Sequence, residues 1–171
     1  LPKPPEADET PQLQWLALRD AVHIDYVIDE MAAASPGTWV ARIEPGLTLE
    51  PQALQVFADY INARPQWRLI YCDEDTCELD GSYSQPLFKP DFNLDLLRAQ
   101  AYPGSFVLVN KETFLVTGRY GRHAGAENYD LSLRILDQTG PTAIGHIEKM
   151  LVHLPRASRR ALQPEAEKQA L

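Results

Sequence analysis

The sequence predicts an α/β fold with a mostly parallel sheet, and two observations carry that reading. First, residues 38–75 run strand, helix, strand, with connections of crossover length. Thr38 to Ile43 is rich in strand formers, Pro51 to Ala63 is amphipathic, and Trp67 to Cys72 is a second apolar run. Such a unit brings its two strands parallel. Second, Leu69-Ile70-Tyr71 leads straight into Asp73, Glu74 and Asp75, the pattern of a buried strand delivering side chains at its carboxyl end.

The bounds on function are set by size and charge. A chain of 171 residues is long enough for one domain with a real core. Its net charge of −8 leaves no basic stripe to neutralise phosphates, which argues against nucleic acid as a partner. No apolar run reaches membrane-spanning length, and the chain does not open on a signal-peptide pattern. Cys72 and Cys77 lack a second pair for a zinc site and read as free thiols of a reducing compartment.

Taken in order, residues 1–12 hold four prolines and three acids and read as a linker or loosely docked arm. An α/β domain is expected over 13–156, followed by a polar tail, 157–171. Leu13 to Leu18 reads as a strand, and Tyr26 to Ala34 as a short helix stopped by Ser35-Pro36-Gly37. The strand from Thr38 is aimed at Glu44-Pro45-Gly46. In the following helix Pro51 suits the first position, Ala53, Leu54, Phe57, Ala58 and Ile61 form the apolar face, and Pro65 lies past the end. Asp80-Gly81 is a turn, Ser82 to Asp91 a polar loop, and Leu94 to Gln100 a short helix. Ser105 to Val109 reads as a strand, Lys111 to Val116 as a helix, and Gly118 to Gly125 as a loop. Asn128 to Gln138 is a helix with Leu131, Ile135 and Leu136 on one face, and Thr142 to Leu154 supplies one or two short strands.

Spacing leaves several chemistries open. Asp73 and Asp75, two apart on extended backbone, point to one side. They could grip a divalent cation, orient a sugar hydroxyl, or bind water at a strand end. Lys89 is a cation near them or a solvated loop residue. Glu127 to Asp130 opens a helix, where acids suit the dipole and Asn128 suits a cap. His146 and His153, seven apart, face opposite sides of an unbroken strand, which makes them poor partners in one metal site unless the chain bends. No GxGxxG, Walker, HExxH or GxSxG pattern is present.

The order of the pieces is more specific than any one of them. Thr38 to Ile43, Pro51 to Leu54, Leu69 through Asp75, Leu87-Phe88-Lys89-Pro90-Asp91-Phe92, Asn128 through Arg134 and His153-Leu154-Pro155-Arg156 stand in a characteristic sequence. In that order, residues 38–156 resemble the second half of a family 2 glycosyltransferase domain of the GT-A fold. The bacterial branch that builds O-antigen and related surface polysaccharides, rhamnosyltransferases included, is the most similar. The resemblance implies a Rossmann-like sheet lacking part of its amino-terminal nucleotide-binding half. It also implies inverting transfer of a sugar from a nucleotide-sugar donor to a glycan acceptor, and a cytoplasmic location, peripheral to the inner membrane.

Carried over by position, the resemblance gives Asp73, Glu74, Asp75, Lys89, Arg134 and His153 to substrate binding. Asp130 matches the family too and joins Glu127 and Asn128 in the expected catalytic group, although Asp130 and Arg134, one helical turn apart, could equally pair with each other. A divalent metal, Mn or Mg, would fall at Glu44, the one carboxylate left where the family carries Asp-x-Asp. Asn128 stands where the family's catalytic base is an aspartate, and an amide cannot take that proton. Glu127 beside it is the substitute base. These departures leave a second expectation, a degenerate, non-catalytic domain serving as scaffold or partner. The proline-rich start adds a third, that the chain is one piece of a longer polypeptide.

Overall fold

The computed structural model describes residues 24–120, 123 and 125–156. The proline-rich arm, the strand expected over 13–18, the polar tail and part of the glycine-rich loop lie outside the described residues.

Helix α1 (Ile24–Ala34) leads into the two-residue strand β1 (Trp39–Val40), shorter than the run expected over 38–43. After β2 (Thr48–Leu49) comes α2 (Ala53–Ala63), which buries Ala53 and Phe57. Val56, Tyr60 and Ile61 complete its inner face. Leu54, expected on that face, is 73% exposed, because the stripe centred on Ala53 and Phe57 turns it outward. Two short helices begin at local caps: the Asn93 side chain accepts from the Leu96 N–H at the head of α3 (Leu94–Ala99). Asn110 accepts from Thr113 N–H at the head of α4 (Lys111–Val116). Helix α5 (Glu127–Thr139) buries Leu131, Ile135 and Leu136 and stops at Gly140, whose φ of +78° favours glycine.

The central strand β3 (Leu69–Cys77) is longer than expected, for the acidic residues continue it rather than follow it. The region expected as a polar loop contains β4 (Tyr83–Leu87), which returns antiparallel to β3 across the Asp80-Gly81 turn. There Asp80 accepts from Ser82 N–H and Gly81 takes φ +83°. Strand β5 is Leu108–Asn110, and β6 is one long strand, Ile144–Pro155.

The sheet runs β1-β5-β3-β6-β2, with β4 on β3. Among the described residues only β3 and β6 pair in parallel, and every other pairing is antiparallel. The sheet is therefore mixed, which corrects the mostly parallel expectation. Strands β1 and β3 do run in the same direction, as a crossover requires, but β5 enters between them antiparallel to both. Sequence order reports the crossover and not the strand that later fills the gap.

Alternation along β3 divides the core. Leu69 and Tyr71 face Leu97, Phe114, Tyr129, Leu131 and Ile135 on one side. Ile70 and Cys72 face Ala53, Phe57, Phe106, Ile147 and Leu151 on the other. With both faces covered, residues 69–72 are apolar without interruption, as a doubly buried strand must be. Each fully buried large side chain there contributes about 1.5–3 kcal/mol.

Candidate functional site: a buried carboxylate row

Beyond Cys72 the same strand carries three carboxylates into the interior. Asp73, Glu74 and Asp75 are 5%, 5% and 7% exposed. Buried acids require partners, and each has one. Asp73 Oδ1 accepts the Lys89 backbone N–H at 2.9 Å and lies 2.9 Å from His146 Nε2. Glu74 Oε2 accepts from Lys89 Nζ at 2.8 Å, and the same ammonium donates to the Pro103 carbonyl. Asp75 Oδ1 lies 2.6 Å from His153 Nδ1, whose other nitrogen is 3.2 Å from Glu50 Oε1. Lys89 is thus no solvated loop lysine.

Gly104 closes around this pair. At φ +86°, an added Cβ would lie 2.6 Å from both Glu74 Oε2 and Lys89 Nζ. The aromatic neighbours are placed as regularly. Tyr71 stacks on His146 at 4.9 Å and 16°, and Tyr83 stacks on His153 at 4.1 Å and 17°. Tyr71 donates its hydroxyl proton to the Pro90 carbonyl at 2.7 Å. Burial, then its contact with Tyr102, pushes that hydroxyl's pKa far up, so it stays a donor. Burial likewise pushes the Cys72 thiol up to about 12, and neither Cys72 nor Cys77 is in a disulfide.

His146 and His153 meet carboxylates two residues apart, Asp73 and Asp75, although seven residues separate the histidines. The register explains it. Tyr71 pairs with His146 and Asp75 with His153, so four steps along β3 face seven along β6, with shifts on either side of Asp73. Three extra residues restore an even phase and turn both imidazoles the same way. The bend on which their common orientation depended is present, and it lies at the exposed Glu148 and Lys149.

The late helix holds the remaining expected residues. Asp130 Oδ2 accepts from Arg134 Nε at 3.0 Å and NH2 at 2.7 Å, and the guanidinium also donates to the Thr117 and Arg119 carbonyls. That pair fastens the 117–119 turn to α5. Asn128 is not a cap; the N-cap position is Ala126. Its amide instead donates to the Ser105 carbonyl at 2.8 Å, and its Oδ1 is buried with no partner among the described residues. Glu127 lies 3.2 Å from Arg42 NH1, and its second oxygen accepts from Gly125 N–H.

Glu44 is exposed in the turn before β2. Among the described residues, the set of three side chains whose ligating atoms converge is Asp91, His146 and Glu148, and Glu44 stands outside it. One exposed carboxylate does not fit a diphosphate-bound metal, and no step is routed through such an ion. Glu50 and Glu148 are site neighbours that residue spacing did not single out, whereas His146 was weighed only against His153. Glu148 carries one legible signal, the charged pair Glu148-Lys149 within the strand, the mark of a bulge.

No family model matches the chain. It is 39% identical over 132 residues to the O-antigen biosynthesis protein RfbC of Myxococcus xanthus, covering 76% of this chain and 10% of that protein. It is 28% identical over 130 residues to the uncharacterized protein y4gI of Sinorhizobium fredii, covering 75% of this chain and 14% of that protein. The chain therefore spans a small part of the length of either curated relative. Its fold is similar to the crystal structure of S. aureus TarS 1-349, with a TM-score of 0.56 at 10% identity, over 83% of this chain and 41% of that one. At that identity the likeness concerns the fold alone. Among the described residues no helix is long and apolar enough to cross a membrane.

Proposed function

We propose that this chain is a glycosyltransferase-like domain of surface-polysaccharide assembly, related to inverting transfer of a sugar from a nucleotide-sugar donor to a glycan acceptor. The observation that carries this reading is the 39% identity to an O-antigen biosynthesis protein. The α/β fold shared with TarS is consistent with it. In this reading Asp75, with His153 and Glu50 behind it, and the mouth of α5 border the sugar. Asp73, Glu74 and Lys89 hold the strand that presents them. Glu127 takes the proton of the attacking hydroxyl once it leaves Arg42.

A second reading, a non-catalytic scaffold or partner domain, is favoured by one observation. The amide of Asn128 is anchored to Ser105, and the only acid beside it is occupied by Arg42 and Gly125. The two readings separate in a turnover assay on a panel of UDP- and dTDP-sugars. The enzyme reading expects slow donor hydrolysis or transfer by the native chain, raised about 10²-fold or more by Asn128→Asp, the usual worth of a positioned base. No turnover by either protein, both folded, would leave the scaffold reading.

A further inference from the structure

We propose that Asp91, His146 and Glu148 form a divalent-cation site at the solvent edge of the β3–β6 pair, with buried Asp73 aiming the imidazole. The site uses residues distinct from Glu44 and does not depend on sugar transfer.

Proton accounting at His146 leads there. A carboxylate only accepts, so at 2.9 Å from Asp73 Oδ1 the Nε2 atom carries the hydrogen. In the neutral ring Nδ1 then presents its lone pair. That lone pair faces a second acceptor, Asp91 Oδ1, at 3.3 Å. A cation placed between the two atoms would be held by both. The Glu148 carboxylate brings a third ligating atom into the set, and all lie within 4.8 Å of one another.

The framework is preorganised as a metal site requires. His146 is held by Asp73 and by stacking on Tyr71, and its side chain is 2% exposed. The Asp91 backbone is tied down just before it, by Tyr71 to the Pro90 carbonyl and by Lys89 N–H to Asp73. Glu148 stands two residues from His146, at the bulge of β6. The Asp91 and Glu148 side chains are exposed, so they can close the short distance to bond lengths of about 2.0–2.2 Å. The same exposure leaves further positions to water. One imidazole and two carboxylates suit Mn2+, Fe2+ or Zn2+ better than Mg2+ or Ca2+, with zinc tighter than manganese.

The test uses Mn2+, for which thiols are poor ligands, titrated into the tag-free chain and followed by electron paramagnetic resonance. The expected result is one saturable ion per chain, displaced by lower concentrations of Zn2+, with pulsed spectra showing a directly bound imidazole nitrogen. The Asp91→Asn, Glu148→Gln double variant, both changes being at exposed positions, is expected to fold normally and bind at least tenfold more weakly. His146→Gln is expected to lose the nitrogen signal. Absence of saturable binding to a folded sample overturns the proposal. So does a bound ion without nitrogen coupling, or an affinity that the double variant leaves unchanged.

Discussion

At the residue scale, Lys89 and Glu74 illustrate how the carboxylate row is tolerated. Both side chains are almost wholly buried, 2% and 6% exposed, so removing one partner strands a charge where water cannot reach it. Lys89→Met or Glu74→Gln alone is expected to destabilise by about 3–5 kcal/mol, and the double variant by much less than the sum. Urea denaturation of all four proteins checks the cycle; additive losses would mean that the pair is uncoupled. Gly104 makes a second case. Gly104→Ala places a methyl against that ion pair, with an expected loss of about 3 kcal/mol. Gly81→Ala, at a similar φ but with nothing within 4 Å, should lose only about 1 kcal/mol. Equal losses would assign the effect to backbone strain alone. The acids themselves were legible in the sequence at this scale, but their partners were not. Nothing local says that a lysine fourteen residues past Asp75, beside a proline, folds back into the core.

At the scale of elements, local chemistry predicted what local chemistry controls. The α3 and α4 helices begin at Asn93 and Asn110 because those side chains satisfy first-turn amides. The end of α5 at Gly140 follows from glycine's access to positive φ. The continuation of β3 through Asp73-Glu74-Asp75 was missed, because charged residues enter a strand interior only when distant partners, here on β6 and the loop after β4, neutralise them. The bulge in β6 was missed for a related reason: period-2 reading assumes an unbroken ladder. The Asp130–Arg134 pair was legible as one helical turn, and its reach to the 117–119 turn was not. Arg134→Lys, which cannot span Asp130 and two carbonyls at once, is expected to lose about 1–2 kcal/mol. Amide hydrogen exchange should accelerate at residues 118–120 before the rest of the chain. Unchanged protection there would mean that the clamp is decorative.

For the molecule as a whole, the α/β class and the direction of the β1–β3 crossover could be read from the chain, whereas strand order could not. Order depends on which edge a later strand finds, and β5 and β6 come after most of the pattern is spent. The buried ionisable groups of the core also set a global pH response. Burial raises the Cys72 thiol from its ordinary 9.0 and the Tyr120 hydroxyl from 10.0, each to about 12, and Tyr71 moves further in the same direction. Groups raised in the folded state favour folding while protonated. Their contribution is complete below about pH 9 and is lost as pH rises through about 12, where unfolding releases protons. Stability measured from pH 8 to 12 should therefore fall steadily on the alkaline side. In parallel, a disulfide reagent at pH 8 should modify Cys77 first and Cys72 only on unfolding. Prompt modification of both would contradict the burial assigned to β3.

The central claim, a domain that handles a nucleotide-sugar donor, is tested most directly by calorimetric titration of the chain with UDP and with dTDP. Each is run with and without manganese, and the heat of manganese binding alone is subtracted. The account predicts saturable binding of at least one nucleotide, with a dissociation constant on the order of micromolar. No heat in any of the four titrations, on a sample shown to be folded, would contradict it.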